Sequence, residues 1–465
     1  MLDKVFGSDS SGNTPEDRAL TSPREFVRGQ TMLAEASPEA TGRILTAAEA
    51  LYNFGFPTLL RVVEEGQALI VSERAEPAQT LKKCRNALGY SPKDLAHRAK
   101  VSLDDVIKAE TPGKVSSIRT LERMARPLAI DERILGFKKQ FGSEKLGVRL
   151  RQLASADGSS RLSAVSVAAL AEGAWIIARQ RLLLSQLKAV SSRALTLFTP
   201  DDDYGYPAYE RGYHLAAKAR ELLNLDPVAP IESLRKLVSD VLEIPLVQTK
   251  LGSGLAGATI ETGTERGIIV NIDGPNKNVW VRRMTLAHEL GHLLWDPKLQ
   301  LNRLMVDRYD DLVVNSSNRR DPVEIRANAF AIAFLAPPSE VDRIVHMAND
   351  VSSAVFEVAN HFGVSVSAAA AHVGNVSRVR VALPKDAPRP EPSEAIRAQE
   401  DFTIDFFPLK NVPAEVVGRF AGIVASAVSR KIISLDTAAT LLRTTKDNLS
   451  NETIENIINL TEMRL

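Results

Sequence analysis

Apolar residues recur three and four positions apart through most of this chain, the spacing that gives a helix one buried face. Between Arg43 and Ser72 that spacing predicts a helical segment, and it returns in blocks from Leu81 to Phe137 and from Leu146 to Phe198. The last block is rich in Leu and Ala, holds Trp175, and stops at the acidic run Pro200-Asp-Asp-Asp-Tyr-Gly-Tyr-Pro207, which reads as a domain boundary. Beyond it the pattern changes. Helices are expected over 209–223 and 231–241, then short β-rich runs at 244–248, 256–260 and 268–272. The Gly-bearing connection Glu261-Thr-Gly-Thr-Glu-Arg-Gly267 makes a hairpin of the last two runs. Two strong helices follow, over 281–295 and 322–335, with further helical segments to about Val381. Four prolines between Pro384 and Pro392 mark a linker.

The expected architecture is therefore mainly α with a small β-sheet. At 465 residues the chain has room for roughly three domains. The pattern divides it into a flexible polar N-terminus (1–24), a helical segment (25–78), a helical domain (79–137), a helical connecting block (138–200), an α+β domain (205–382), a Pro-rich linker (383–398) and a helical C-terminal domain (399–465).

Composition narrows the function classes. Lys and Arg total 58 against 57 Asp and Glu, a net charge of +1, so any nucleic-acid role must come from a local patch. The single Cys84 excludes an internal disulfide and a Cys-rich zinc ribbon, and fits a reducing cytoplasm. The most apolar stretch, 164–187, carries Glu172, Arg179, Gln180 and Arg181, which are costly at the centre of a bilayer. It reads as a buried helix, and no membrane partner is expected. Met1 to Asn13 has no apolar core and does not read as a secretory signal. Gly252, Gly254, Gly257, Gly263 and Gly267 lack a following Gly-Lys-Ser/Thr and make no phosphate loop.

The sharpest chemical signal is His288-Glu289-Leu290-Gly291-His292. On a helix, positions i and i+4 share a face, so both imidazoles can reach one ion. Glu289 is rotated about 100° away by the helical period. It stands beside the ion, where a carboxylate can take a proton from activated water. Zinc in such a site takes a third protein ligand and leaves one position open. Glu324 is a candidate, and Asp307, Asp310 and Asp311 compete with it. Spacing also allows Glu324 an ordinary role as a capping-box residue behind Asp321 and Pro322.

The run Thr285-Leu-Ala-His-Glu-Leu-Gly-His-Leu-Leu294, then Glu324 with Ala327, Asn328, Phe330 and Ala331, then Leu335-Ala-Pro337, resembles the ImmA/IrrE metallopeptidases. The resemblance runs from about Tyr209, through Gly267-Ile-Ile-Val-Asn271, to Phe362-Gly-Val-Ser365. It implies a zincin-like fold, one Zn2+ per chain, and Glu324 as the ligand that completes the site with His288 and His292. It also implies a regulatory endopeptidase, active in stress or mobile-element responses, that cuts a helix-turn-helix repressor. Arg326 and Ala336 stand where the family frequently has an acidic residue and a Met. Asn328, one turn after Glu324, is a candidate for orienting a ligand. His346, His361, His372, Tyr309 and Arg319 are candidates for steadying the developing oxyanion, and the sequence does not choose among them. The strand Gly267 to Asn271 is a candidate edge for an extended peptide.

Residues 79–133 carry 12 Lys/Arg and 7 Asp/Glu, a local net of +5. Within them, Lys93-Asp-Leu-Ala-His-Arg98, a tight Ala99-Lys100-Val101 connection and a second helix starting at Ser102 resemble an Xre-type, lambda-repressor-like helix-turn-helix domain. The phosphate-contacting candidates are Lys82, Lys83, Arg85, Lys93, Arg98, Lys100 and Lys108. Asp104 and Asp105 oppose DNA at the front of the presumed recognition helix, which leaves docking to a partner protein, or a homodimer role, as the alternative. Ile433 to Leu442 has similar spacing but reads as a packing tail. The leading expectation is a cytoplasmic zinc endopeptidase joined to a DNA- or repressor-binding domain. The alternative is a transcription regulator whose peptidase-like domain is a non-proteolytic sensor.

Overall fold

The computed structural model describes residues 1–465 apart from 72, 74, 134, 138–161, 189–196, 202–206, 253, 263–264, 297–304, 309–320, 384–388, 402–406 and 463–465. Among the described residues the chain is mainly helical with two four-stranded sheets, and it divides into two compact units, Met1–Val190 with Ile404–Leu465, and Ser191–Thr403. Among the described residues no helix is long and apolar enough to cross a membrane.

The first unit opens with α1 (Leu2–Phe6) and α2 (Pro15–Thr21), so part of the expected flexible N-terminus is ordered. Phe6 and Val5 are completely buried, and Thr14 caps α2, which explains why a polar lead-in still folds. The expected helical segment 25–78 is also corrected. It contains β1 (Glu25–Arg28), β2 (Met32–Glu35), β3 (Arg43–Thr46) and β4 (Gln67–Leu69), in the order β3-β1-β2-β4 with every pair antiparallel. These strands are three or four residues long, too short for a two-residue period to outweigh the helical one beside it. Helices α3 (Ala47–Phe54) and α4 (Phe56–Glu65) lie between β3 and β4, and Phe26, Leu33, Leu45, Phe54, Leu59 and Val62 share their core.

Four short helices follow: α5 (Ala78–Ala87), α6 (Pro92–Ala99), α7 (Leu103–Ala109) and α8 (Ile118–Ala125). They are not separate from the sheet. Arg28, 2% exposed, donates to the main-chain carbonyls of Glu132 at 2.6 Å and Leu135 at 2.7 Å. The apolar stretch expected to be buried forms α9 (Ala164–Gln186). Its Trp175 donates to Glu132 at 2.8 Å, and Arg179 pairs with Asp131 at 3.1 Å, which neutralises the charge that argued against a bilayer.

The second unit begins with α10 (Ala208–Leu222) and a helical turn, Leu234–Lys236, that runs into a π-helical turn, Leu237–Val241. Strands β5 (Leu246–Thr249), β6 (Leu255–Thr262) and β7 (Glu265–Asn271) precede α11 (Val279–Trp295); β8 (Met305–Arg308) precedes α12 (Pro322–Leu335). The sheet order is β5-β7-β6-β8, with β6 and β7 as the expected hairpin. β7 lies between β5 and β6, so the expectation that it offers a peptide edge is corrected. Helices α13 (Pro338–Met347), α14 (Val351–Phe362), α15 (Val366–Ser377) and α16 (Glu394–Glu400) complete the unit.

Two glycines set the helix spacing behind the site. A Cβ on Gly291 of α11 would lie 2.8 Å from the Phe330 ring on α12, and one on Gly212 of α10 would lie 2.4 Å from the Arg326 carbonyl. Either side chain would force the helices apart, moving the residues α11 and α12 hold between them.

The C-terminal helices α17 (Arg419–Ser429), α18 (Leu435–Leu441) and α19 (Asn451–Leu460) return to the first unit rather than forming a domain of their own. The buried Asp436 carboxylate pairs with Arg43 at 2.9 Å and accepts from the main-chain N–H of Ile44 at 3.0 Å. Ser434 and Thr437 both donate to buried Glu49. This is the packing role expected for Ile433 to Leu442.

Candidate metal centre

Asn278 caps the start of α11, accepting from the Trp280 N–H at 2.9 Å, and the helix then runs through the core to Trp295. His288, Glu289 and His292 sit on it with no exposed surface. The two imidazole Nε2 atoms are 3.0 Å apart. Glu324, near the start of α12, faces both, its carboxylate 3.3 Å from His288 Nε2 and 3.6 Å from His292 Nε2. Asp321 caps α12 through the Val323 N–H at 2.9 Å, and the Glu324 carboxylate lies at the imidazoles. His288, His292 and Glu324 thus form the one group among the described residues whose ligand atoms lie within 4.8 Å of one another in the manner a metal ion requires.

The opposite sides of both rings are held. His288 Nδ1 lies 2.9 Å from Asn328 Oδ1, and His292 Nδ1 lies 2.9 Å from Asp296 Oδ2. With both rings neutral, each Nδ1–H donates to its oxygen partner and each Nε2 has a lone pair to offer an ion. Three electron-rich donors converging in a dry site fit a cation, and imidazole with carboxylate suits zinc. The electrostatics agree. Burial alone would push His292 toward neutrality, but hydrogen bonds to Asp296 and Glu324 hold its pKa well above the ordinary value. Burial likewise works to raise the Glu324 pKa, and hydrogen bonds to His288 and His292 override it and keep the carboxyl far below the usual range. The pocket is built for positive charge.

Glu289 points to the sheet. Thr259 Oγ1 on β6 donates to its carboxylate at 2.6 Å, and a Cβ on Gly257 would come within 2.7 Å of Glu289 Oε1. Gly257 is therefore a steric requirement of the carboxylate's seat.

Residues 274–373 match the family Peptidase_M78, described as the IrrE N-terminal-like domain. A search of curated proteins returns no match. The matched segment contains His288, Glu289, His292, Glu324, Asp296 and Asn328, so this part of the chain carries a metallopeptidase-like domain similar to that family.

Sequence reasoning missed Asp296, Thr259 and Gly257. Asp296 had a signal, since it lies four residues after His292 and so on the same helical face. The other two come from a strand about thirty residues away, and no local pattern connects them to Glu289. Arg326 proves to be part of the site's support: it pairs with the second oxygen of Asp296 and donates to the Asp201 carbonyl at 2.9 Å. Of the candidate oxyanion donors, His372 is already engaged, with Nε2–H donating to Ala336 O at 2.8 Å and Nδ1 accepting from the Tyr213 hydroxyl at 2.7 Å. His346 and His361 are exposed on α13 and α14. Tyr309, Arg319, Asp310 and Asp311 lie outside the described residues, and the backbone of Asp307 belongs to β8.

The second candidate site is the α5–α8 region. Ser91 and Ser102 each cap a helix in a reciprocal capping box, with Asp94 and Asp105. Between the two helices Lys100 adopts a left-handed turn at φ 53°. Lys82, Lys83, Lys93, Lys100 and Lys108 are exposed. Arg98 is half-buried, its guanidinium 4.9 Å above the Tyr90 ring. Arg85 is corrected: it is 7% exposed and makes two bonds to Glu110, at 2.6 and 2.9 Å, with a third to Tyr90 O, so it ties the domain together internally. The two carboxylates at the front of α7 also differ in role, because Asp105 is turned back onto Ser102 while Asp104 remains exposed.

Proposed function

We propose that the 205–382 domain is a zinc-dependent endopeptidase acting in regulation. It cuts a helix-turn-helix repressor or a protein like it, with α5–α8 as its own DNA- or repressor-binding domain. The observation that carries this reading is the convergence of His288 and His292 Nε2, 3.0 Å apart, on Glu324, with Glu289 immediately beside them on the same helix.

His288, His292 and Glu324 would hold one Zn2+ per chain. When bound, the ion supplies Lewis-acid polarisation of the scissile carbonyl and of the attacking water. Glu289 takes one proton from that water as the oxygen adds to the carbonyl carbon, then delivers it to the leaving amine nitrogen as the C–N bond breaks. Thr259 and Gly257 fix the carboxylate that carries the proton. Asn328 and Asp296 fix the two rings.

Elemental analysis of the purified chain beside His288→Ala is the first test, with about one zinc expected in the former and none in the latter. A helix-turn-helix repressor incubated with the zinc-loaded chain should then be cut, and Glu289→Gln should retain zinc without cutting. Normal cleavage by Glu289→Gln would end the assignment. Exposed lysines on α5, α6, α7 and the intervening turn support the second reading, a regulator with a non-proteolytic sensor domain. DNA binding by a zinc-loaded chain that cuts no repressor is the result that favours it.

A further inference from the structure

β6 is the strand that touches Glu289, through Thr259 and Gly257. The same residues are paired with β8: Gly257 with Asp307, Ala258 with Val306, and Thr259 with Met305. β8 is therefore an extended, antiparallel segment laid along the strand beside the proton acceptor. Sites that bind peptides by strand addition hold them in this way, with main-chain bonds supplying the affinity. β7 is flanked by β5 and β6, which leaves β6 as the strand that contacts Glu289 and whose other neighbour, among the described residues, ends the sheet.

The β6–β8 pairing is exchangeable because its register slips between Leu255 and Gly257, which interrupts the ladder next to the residue that touches Glu289. Each main-chain bond contributes a net of about 0.5–1.5 kcal/mol, and an incoming extended peptide replaces it with one of the same kind.

We propose that β6 receives the peptide substrate and that β8 is the chain's own segment in that place, so a substrate is cut only after it has displaced β8. The inference rests on the peptidase reading and deepens it. The substrate's reactive segment must be extended with free main-chain groups, which means a loop or linker of the target and not one of its helices.

The test uses the full chain carrying Ala258→Cys and Val306→Cys. Paired residues on antiparallel strands have Cα atoms about 4.5–5.5 Å apart, within disulfide range. The native Cys84 is buried and is left in place. The probe is a fluorescein-labelled synthetic peptide of residues 301–312, which contains the β8 sequence and offers it in trans. After oxidation with diamide, and with the bridge verified by mass spectrometry, binding should be at least about tenfold weaker than in the reduced form, equivalent to roughly 1.4 kcal/mol. Metal content should be the same in both forms. Val306→Pro and Asp307→Pro provide a second route. Successive N–H groups alternate between strand edges, so one of the two prolines removes a donor aimed at β6. That variant should bind the peptide more tightly than the unmodified chain. Equal binding by oxidised and reduced protein overturns the proposal, as does the failure of both proline variants to improve binding. If the peptide exchanges as expected but the zinc-loaded chain cuts no protein, the peptidase reading fails and the strand exchange stands.

Discussion

Arg326 and Asp296 form a buried ion pair directly behind the His288–His292–Glu324 cluster, where Asp296 also holds His292 Nδ1 at 2.9 Å. The arginine stands at a position where the resembling family frequently has an acid, and here it balances the charge of Asp296. Asp296→Asn should lower zinc affinity about 10–100-fold, as measured by competition with a chelator. Arg326→Ala should cost more in stability, about 3–5 kcal/mol, because it leaves a buried carboxylate without its partner. Unchanged zinc affinity in Asp296→Asn would remove this pair from the support of the site.

On the proposed peptidase reading, Glu289→Gln should reduce repressor cleavage by about 10²–10⁴-fold with zinc retained. Thr259→Val removes a 2.6 Å hydrogen bond to the same carboxylate and should lower kcat by about tenfold, the effect of roughly one hydrogen bond to a charged group. KM and zinc content should hold. Gly257→Ala should act in the same direction, since its methyl would press on Glu289 Oε1. A KM effect without a kcat effect in Thr259→Val would assign the threonine to substrate binding.

His372 sets an acid limit on the second unit. Burial lowers its pKa from 6.5 to about 4, and the hydrogen bond to Ala336 O offsets this only in part. A depressed value in the folded chain means the neutral ring's contribution is complete above about 6.5 and is lost as pH falls toward 4. The full difference is on the order of 3 kcal/mol. Thermal melting between pH 7 and pH 4 should therefore fall more steeply for the unmodified chain than for His372→Asn. Parallel curves would show that the histidine does not govern this limb.

On the proposal that α5–α8 binds DNA, Lys82→Ala with Lys83→Ala should weaken that binding and flatten its salt dependence, by about 0.9 in slope for each phosphate no longer neutralised. Arg85→Ala should act differently, lowering the melting temperature because Glu110 is left without its buried partner. Identical effects from the lysine pair and from Arg85 would contradict this division of roles.

Much of the site was legible because its parts are periodic. A His-Glu-His triplet on an apolar helix, with Glu324 at the start of the next strong helix, leaves a local trace, and both helices form at nearly the expected residues. The hairpin of β6 and β7 was equally plain. The strands of the first sheet were not, because three- and four-residue segments carry too few positions to show alternation. Nor was β8, which is defined by its pairing with β6. Thr259, Gly257 and Arg326 meet partners about thirty positions or more away along the chain, and only folding brings them together.

Arg43 and Ile44, made early, find their partner Asp436 only near the end of the chain, and Glu49 waits likewise for Ser434 and Thr437. The segment 191–403 is thus an insertion within a discontinuous unit. On the ribosome, the inserted unit has all of its own sequence, and can collapse, before the unit around it is complete. A nascent chain stalled between the two would carry a formed His288–His292–Glu324 cluster while buried charges of its first sheet still stood in water.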